Sequence, residues 1–357
     1  MTFLGDFLWQ PRRLFKSVGE WADASGNTEG LIPLPGLPQG DSAPQDTNPG
    51  RWHLASLPNG KVIGDLRLVA TWSNDVLGQI QVLHGIEAPE THWALRQSRL
   101  RRPRRLRGTA AVLAAAGGTN YYHWIFDSLP RLHLLRLAGV EWRSVKSFLI
   151  NGTVQSFDVD SLALLGIPTE RTVRCSKRQI TIAERLLVPP MPLPRQGQVE
   201  GWVCEFLRAS YLPVCPAREQ GLRLYLSRRS SPKRRLANEA AVEALFRENG
   251  FRVVRLEALS FQEQVATFAG AALVAGPHGA GFANLVFAPP GTGVIEFFHP
   301  NHRAPNYERI ASLIGMNYRS VIGEAPGERA DEMSETLGPY TVSLELLKQA
   351  LTDLQSR

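Results

Sequence analysis

Between residues 60 and 85 apolar and polar positions alternate in short bursts, as in KVIGDLRLVATW, and this predicts strands. TAAVLAAAGG at 109–118 is a continuous apolar run ending in glycine, the pattern of a buried strand. From Tyr122 to Leu137 the apolar positions change to a helical period, with Pro130 as break or kink. Residues 146–151 again fit a strand, 159–166 a short helix closed by Gly166, and 184–190 a strand running into prolines. Residues 55–190 thus alternate strand and helix, an α/β signature.

Residues 191–218 carry several prolines and a helical stretch near Trp202–Ala209, and read as a connection. The pattern then restarts. Strands are expected at 222–227, 251–257, 271–276, 291–298 and 316–322. Helices are expected at 238–249, with Asn238 as cap and Gly250 at its end, from the capping box Ser260–Glu263 through Phe268, and at 306–315. A last helix, 343–354, places Leu344, Leu347, Leu351 and Leu354 on one face. This order predicts a parallel sheet with helices on both faces. Three segments result: an irregular arm at 1–54 with an amphipathic start, a first α/β domain at 55–210, and a second at 211–357 that ends in a helix. Two such domains are the shape of a cleft protein, and in open parallel sheets ligands sit beyond the carboxyl ends of the strands.

Composition narrows the class. A chain of 357 residues with 43% hydrophobic and 20% charged positions is globular and long enough for two domains. The net charge of +7 and pI near 9.6 call for an anionic partner. Residues 96–108, RQSRLRRPRRLRG, hold seven arginines. Pro103 opposes a helix there, so the run reads as a basic loop, and without aromatics for base stacking it lacks the mark of a nucleic-acid reader. Cys175, Cys204 and Cys215 form no CxxC and read as reduced thiols. No stretch approaches the ~20 apolar residues of a membrane span, and the start lacks the pattern of a signal peptide. A cytoplasmic protein is therefore expected. Phe3, Leu4, Phe7, Leu8 and Trp9, interleaved with Arg12, Arg13 and Lys16, could lie on the inner membrane face or pack on their own domain.

Candidate chemistry sits at predicted strand ends. Strand 271–276 runs into PHGAG, where His278 reaches outward and Gly279, Ala280 and Gly281 leave backbone N–H groups open to a phosphate. Arg228 follows strand 222–227, with Arg229, Lys233, Arg234 and Arg235 behind it, and guanidinium forks suit a pyrophosphate. His123 and Asp127, four apart, share a helical face and form a candidate general base. Glu296 lies within an apolar strand, placed to bind a ribose hydroxyl or to be satisfied internally. Asp158 and Asp160 in DVD read as a helix cap rather than a metal site, and no metal is expected.

NYYHWIFDSLPRL, LYLSRRSSPKRRLANE and GPHGAGFANLVFAPPGTGVIEFF, in this order, resemble glycosyltransferase family 61, the capsular polysaccharide biosynthesis protein family, over roughly residues 110–320. The resemblance implies a GT-B type fold, two Rossmann-like domains facing across a cleft with the donor on the second. It implies an inverting, metal-independent transfer from a nucleotide-sugar donor, commonly UDP-linked, to a glycan or lipid-linked glycan acceptor. Arg228 and Arg234 match its basic positions, and His278, Gly279, Ala280, Gly281 and Asn284 its HGAG-x-x-N. Glu296 matches its strand-end Glu, and His123, Trp124 and Asp127 its HW-x-x-D. Asn120 joins Trp124 as a candidate for positioning the acceptor. Pro232 departs from the pattern, where many members carry a basic residue.

Inversion needs one base, and Asp127 stands ahead of His123 because a carboxylate is ionised at pH 7 without tuning. The departing diphosphate falls to Arg228, Arg234, His278 and the 279–281 turn. The rival readings are a non-catalytic glycan- or nucleotide-binding module and a nucleic-acid-binding protein.

Overall fold

The structure, a computed structural model, describes residues 12–15, 18–26, 28–37, 52–64, 68–77, 101–176, 178–193, 198–217, 219–229, 234–325 and 338–355. Residues 1–11, Lys16, 65–67, 78–85, Arg96, Arg99, Pro232 and Lys233 of the segments discussed above lie outside them. The chain divides into two compact units, residues 1–196 and 197–357.

In the first unit, β1 (Arg13–Phe15) and α1 (Val18–Ser25) precede β2 (Leu31–Pro33), β3 (His53–Pro58), β4 (Lys61–Ile63), β5 (Leu68–Ala70) and β6 (Asp75–Leu77). Then come β7 (Arg101–Val112), α2 (Tyr121–His123), the π turn Trp124–Ser128, and α3 (Arg131–Leu137). β8 (Ser147–Asn151), α4 (Ser156–Leu164), β9 (Thr172–Cys175) and β10 (Gln179–Val188) complete it. One sheet runs β1-β6-β5-β4-β10-β7-β8-β9, with β3 also on β10 and β2 on β3. The alternation expected over 55–190 holds only in part. β10, β7, β8 and β9 are parallel neighbours, but β3 and β4 pair antiparallel with β10 and β5 and β6 continue antiparallel, because no helix separates these short strands. Phe15, Trp21 and Ala22 are buried in the core with Leu57, Val62, Val69 and Leu186, so these three residues serve this unit.

The arginine run is a strand, not a loop, where it is described. β7 pairs along β10 from Arg101 to Ala111, and the register shifts between Arg101 and Arg104, where Pro103 sits. A bulge is where a strand accepts a residue without an N–H. Asp158 is also not the helix cap. It lies inside α4, buried, with its carboxylate forked by the Arg174 guanidinium at 2.8 and 2.9 Å.

The second unit holds α5 (Gly201–Tyr211), β11 (Leu222–Leu226), α6 (Glu239–Glu248), β12 (Arg252–Val254), α7 (Phe261–Ala269) and β13 (Ala271–Pro277). A 3-10 helix (Ala280–Phe287), β14 (Gly293–Phe298), α8 (Asn306–Ile314), β15 (Asn317–Ile322) and α9 (Leu344–Gln355) follow. Its sheet, ordered β12-β11-β13-β14-β15, is parallel throughout. Tyr225, Ala275, Ile295 and Phe297 pack with Val242, Phe246, Leu347 and Leu351 of α6 and α9 in one core. The capping box at Ser260 is present with both hydrogen bonds. Asn238 does not cap α6: its side chain donates to the Val342 carbonyl and accepts from the Val342 N–H, tying the start of α6 to the segment before α9. No helix among the described residues is long and apolar enough to cross a membrane.

Candidate active site

The two groups of candidate residues lie in different units. In the first, β7 ends at Val112 and a short loop leads to α2. Asn151, at the end of β8, pins that loop: its amide donates to the Ala115 carbonyl at 3.0 Å and its oxygen accepts from the Ala115 N–H. Asn120 caps α2, accepting from the Tyr122 N–H at 2.9 Å. The turn then widens, and Leu129 N–H reaches back five residues to the Trp124 carbonyl. Such π turns recur at functional sites because they shift which side chains face out.

Here the turn sets His123 and Asp127 in line. His123 Nδ1 lies 2.7 Å from Asp127 Oδ2. The aspartate side chain is 6% exposed and the imidazole 13%, so the carboxylate sits behind the ring. With Nδ1–H donated to Asp127, the ring's lone pair lies on Nε2. Gly117, at φ +76°, lets the ring lie close: a Cβ there would fall 2.7 Å from His123 Cδ2. Trp124, 1% exposed, donates its indole N–H to Ser161 Oγ at 2.9 Å and anchors the turn to α4. Fully buried Arg131 donates from Nε to the Asp127 carbonyl. Burial lowers its pKa to about 10, and the Asp127 charge opposes that shift.

In the second unit the strand order places β12 beside β11 on one side and β13 on the other, so the topological switch point lies between β11 and β13. At their carboxyl ends opens a cavity of about 170 Å3, lined by Ser227, Arg228, Glu257, Gly279, Ala280 and Gly281 among others. Glu239 Oε1 accepts from the Arg228 N–H and from Ser227 Oγ, fixing the turn that follows β11. The Arg228 guanidinium passes where a Gly279 side chain would stand, so any side chain there would displace it. Burial lowers the pKa of Arg228, and burial followed by the charge of Arg228 lowers that of Arg234. Two half-buried guanidinium groups that repel each other are a ready receptor for a polyanion. Arg234, at φ +50°, has a buried Nε with no hydrogen-bond partner among the described residues.

His278 turns to Glu296. Its Nδ1 lies 2.5 Å from Oε1, and Tyr318 donates to Oε2, also at 2.5 Å. Burial pushes the histidine pKa down and the glutamate pKa up. Both shifts favour a neutral pair, with the carboxyl proton on the Nδ1 side, which leaves Nε2 protonated as a donor. The ring stacks on Phe298 and meets His302 and Tyr307 at 5.3 and 5.4 Å between centroids. Asn284 is fully buried and donates to Gln264 Oε1 and the Gly281 carbonyl, and Gln264 donates to the carbonyls of Leu256 and Leu259. It braces the cavity wall from behind.

Sequence reasoning missed His302, Tyr307 and Tyr318. The signal for His302 was its place shortly after the end of β14, at the same sheet edge as His278. Burial and the charges of Arg234 and His278 bring its pKa down to about 4. Among the described residues no cluster of three or more His, Cys, Asp or Glu side chains has the arrangement to hold a metal ion.

Comparison with known proteins bears on the same residues. A stretch of 63 residues is 32% identical to the beta-1,2-xylosyltransferase of Arabidopsis thaliana, covering 18% of this chain and 12% of that relative's length. Residues 121–295 match the model of the family described as Glycosyltransferase 61, a span that opens two residues before His123 and closes one residue before Glu296. The His-Asp pair, the arginine turn and the strand-end His278 all lie inside that span, so over residues 121–295 the chain is similar to the glycosyltransferase 61 family.

Proposed function

We propose that this chain is an inverting, metal-independent glycosyltransferase that moves a sugar from a UDP-linked donor to a glycan or lipid-linked glycan in cell-surface polysaccharide biosynthesis. The observation that carries this reading is the guanidinium-lined cavity at the β11–β13 switch point. Arg228 and Arg234 supply positive charge for the two phosphates, and His278 Nε2–H adds a donor. The donor sugar of the plant relative, named for xylosyl transfer, is one candidate for the group moved.

In this reading His123 is the base, and Asp127 orients it. Nε2 accepts the proton of the acceptor hydroxyl as its oxygen bonds to the anomeric carbon from the face opposite the diphosphate. The carbon–oxygen bond to the diphosphate breaks, and the nucleotide leaves with the electron pair, its charge held by Arg228 and Arg234. Work at the cytoplasmic side, on acceptors at the inner membrane face, completes the proposal.

Thermal shift with UDP in the presence of EDTA tests the donor site. UDP raises the melting temperature of the wild type and not of Arg228→Ala. His123→Ala and Asp127→Asn keep the UDP shift and lose turnover by about 10²–10⁴-fold. Full turnover in both dyad variants rejects the base assignment. No shift with any nucleoside diphosphate points to a non-catalytic glycan-binding module.

A further inference from the structure

The arginine run is left unused by the donor cavity and the His-Asp pair, and the first unit contains a second concave surface beside it. A groove of about 470 Å3 is lined by Arg13, Ser25, Thr71, Trp72, Ser73 and Asp75 among others. Trp72, in the turn between β5 and β6, is 55% exposed. The turn that carries it is held firmly. Lys61 Nζ donates to the Trp72 carbonyl and to Asn74 Oδ1, and Ser73 Oγ donates to Asp75, which the Arg13 guanidinium forks at 2.9 and 3.0 Å. The indole is therefore preorganised.

Cations reach it from β4 and β7. Lys61 Nζ lies 4.9 Å and Arg105 Cζ 5.5 Å from the ring centroid. Arg105 and Lys61 share one row of the sheet, since both pair with Ile182 of β10. Along β7, Arg102, Arg104 and Arg107 are exposed beside Arg105, and among the described residues no carboxylate forms an ion pair with these four. β8 joins β7 only from Ala110, so the arginine segment pairs on one side alone among the described residues. From Arg102 to Arg107 the strand extends about 17 Å.

An open indole bordered by hydroxyls and a forked carboxylate suits a sugar ring, whose C–H face lies on the aromatic surface while its hydroxyls reach polar groups. Successive strand residues face opposite sides, so Arg105 and Arg107 lie on the face of Lys61 and Trp72, and their guanidinium groups suit carboxylates. We propose that the Trp72 groove and Arg105 and Arg107 of β7 form one binding site for an acidic, carboxylate-bearing glycan. A membrane surface fits less well, because the groove is concave and lined with Ser, Thr and Asp side chains. A nucleic acid would ask for several stacking aromatics, and among the described residues the groove offers Trp72 alone to solvent. As a binding site it stands without the transferase reading; as an acceptor site it rests on that reading.

The test is binding of an oligogalacturonide to the full chain by calorimetry, without donor nucleotide, so that a failed donor site leaves it intact. A neutral xylo-oligosaccharide of equal length, duplex DNA and phosphatidylglycerol vesicles are the comparisons. The oligogalacturonide binds, and Trp72→Ala weakens it about tenfold while Trp72→Phe largely retains it. Arg105→Gln weakens it and flattens its salt dependence. Melting temperatures near wild type establish that the variants fold. The proposal is overturned by no oligogalacturonide binding, by binding indifferent to Trp72→Ala, by equal affinity for the neutral sugar, or by DNA or vesicle binding with the same dependence on Trp72.

Discussion

Arg228 and Gly279 interlock, so the proposed donor site depends on a glycine that offers no side chain. Gly279 sits at φ −179°, extended backbone open to any residue, so the need is space and not conformation. Gly279→Ala displaces the Arg228 guanidinium and weakens UDP binding about as much as Arg228→Ala, on the order of tenfold or more. Titration of UDP against both variants checks it, and wild-type affinity in Gly279→Ala removes Arg228 from the phosphate site. His278 and Glu296 yield a second prediction through linkage. The glutamate pKa rises from 4.5 to about 8 on folding, so between those values the folded state holds more protons and stability falls as pH rises. The histidine pKa falls from 6.5 to about 3, an opposite slope that ends near pH 6.5. Between pH 6.5 and 8 the glutamate acts alone, with a slope of at most about 1.4 kcal/mol per pH unit. Melting curves show this decline in the wild type, and Glu296→Gln lacks it. The i, i+4 spacing of His123 and Asp127 was legible in the sequence. Which of the two faces outward was not, because that depends on a π turn that leaves no mark in the pattern of apolar positions. The notion of Asn284 as a donor ligand came from its motif, whereas its amide is spent on Gln264 and the Gly281 carbonyl.

Elements with strong local signals emerged close to where their residues put them. α7 begins at its capping box, α8 closes at Gly315 in the left-handed region, and β13 and β14 follow their apolar runs. Elements whose identity depends on a distant partner did not. β7 reads as a basic loop until β10 satisfies its backbone, and Asn238 reads as a cap until Val342 arrives from 104 residues away. That long-range bridge has a measurable weight. Asn238→Ala removes both bonds and leaves the Val342 backbone groups, part-buried, in need of water, at a cost of about 1–3 kcal/mol. A pure helix cap would lose less when replaced by glycine, only a few tenths of a kcal/mol. Urea unfolding of Asn238→Ala and Asn238→Gly distinguishes the two: the bridge predicts a large loss in both, and near-wild-type stability in the glycine variant contradicts it.

At the scale of the molecule, the periodicity gave an α/β chain with two centres of burial, and each unit has a core of its own. The first closes around Leu57, Val62, Leu149 and Leu186, the second around Tyr225, Phe246, Phe297 and Leu351. The antiparallel strands of the first unit were seen as strands, but their pairing was hidden because short alternating segments specify a face and not a neighbour. The second unit was easier to read, since each strand there is followed by a helix and the crossover rule leaves few topologies. Its independence has a consequence. Arg228, Arg234, His278, Glu296, Tyr318 and the cavity between β11 and β13 all belong to residues 197–357, as do the helices that cover one face of the sheet. A fragment of residues 197–357 therefore melts cooperatively and gains stability from UDP, and Arg228→Ala abolishes that gain within the fragment. A fragment that folds without a UDP shift, beside a full chain that has one, moves part of the nucleotide site onto the first unit; a fragment that does not melt cooperatively shows that its core depends on residues before 197.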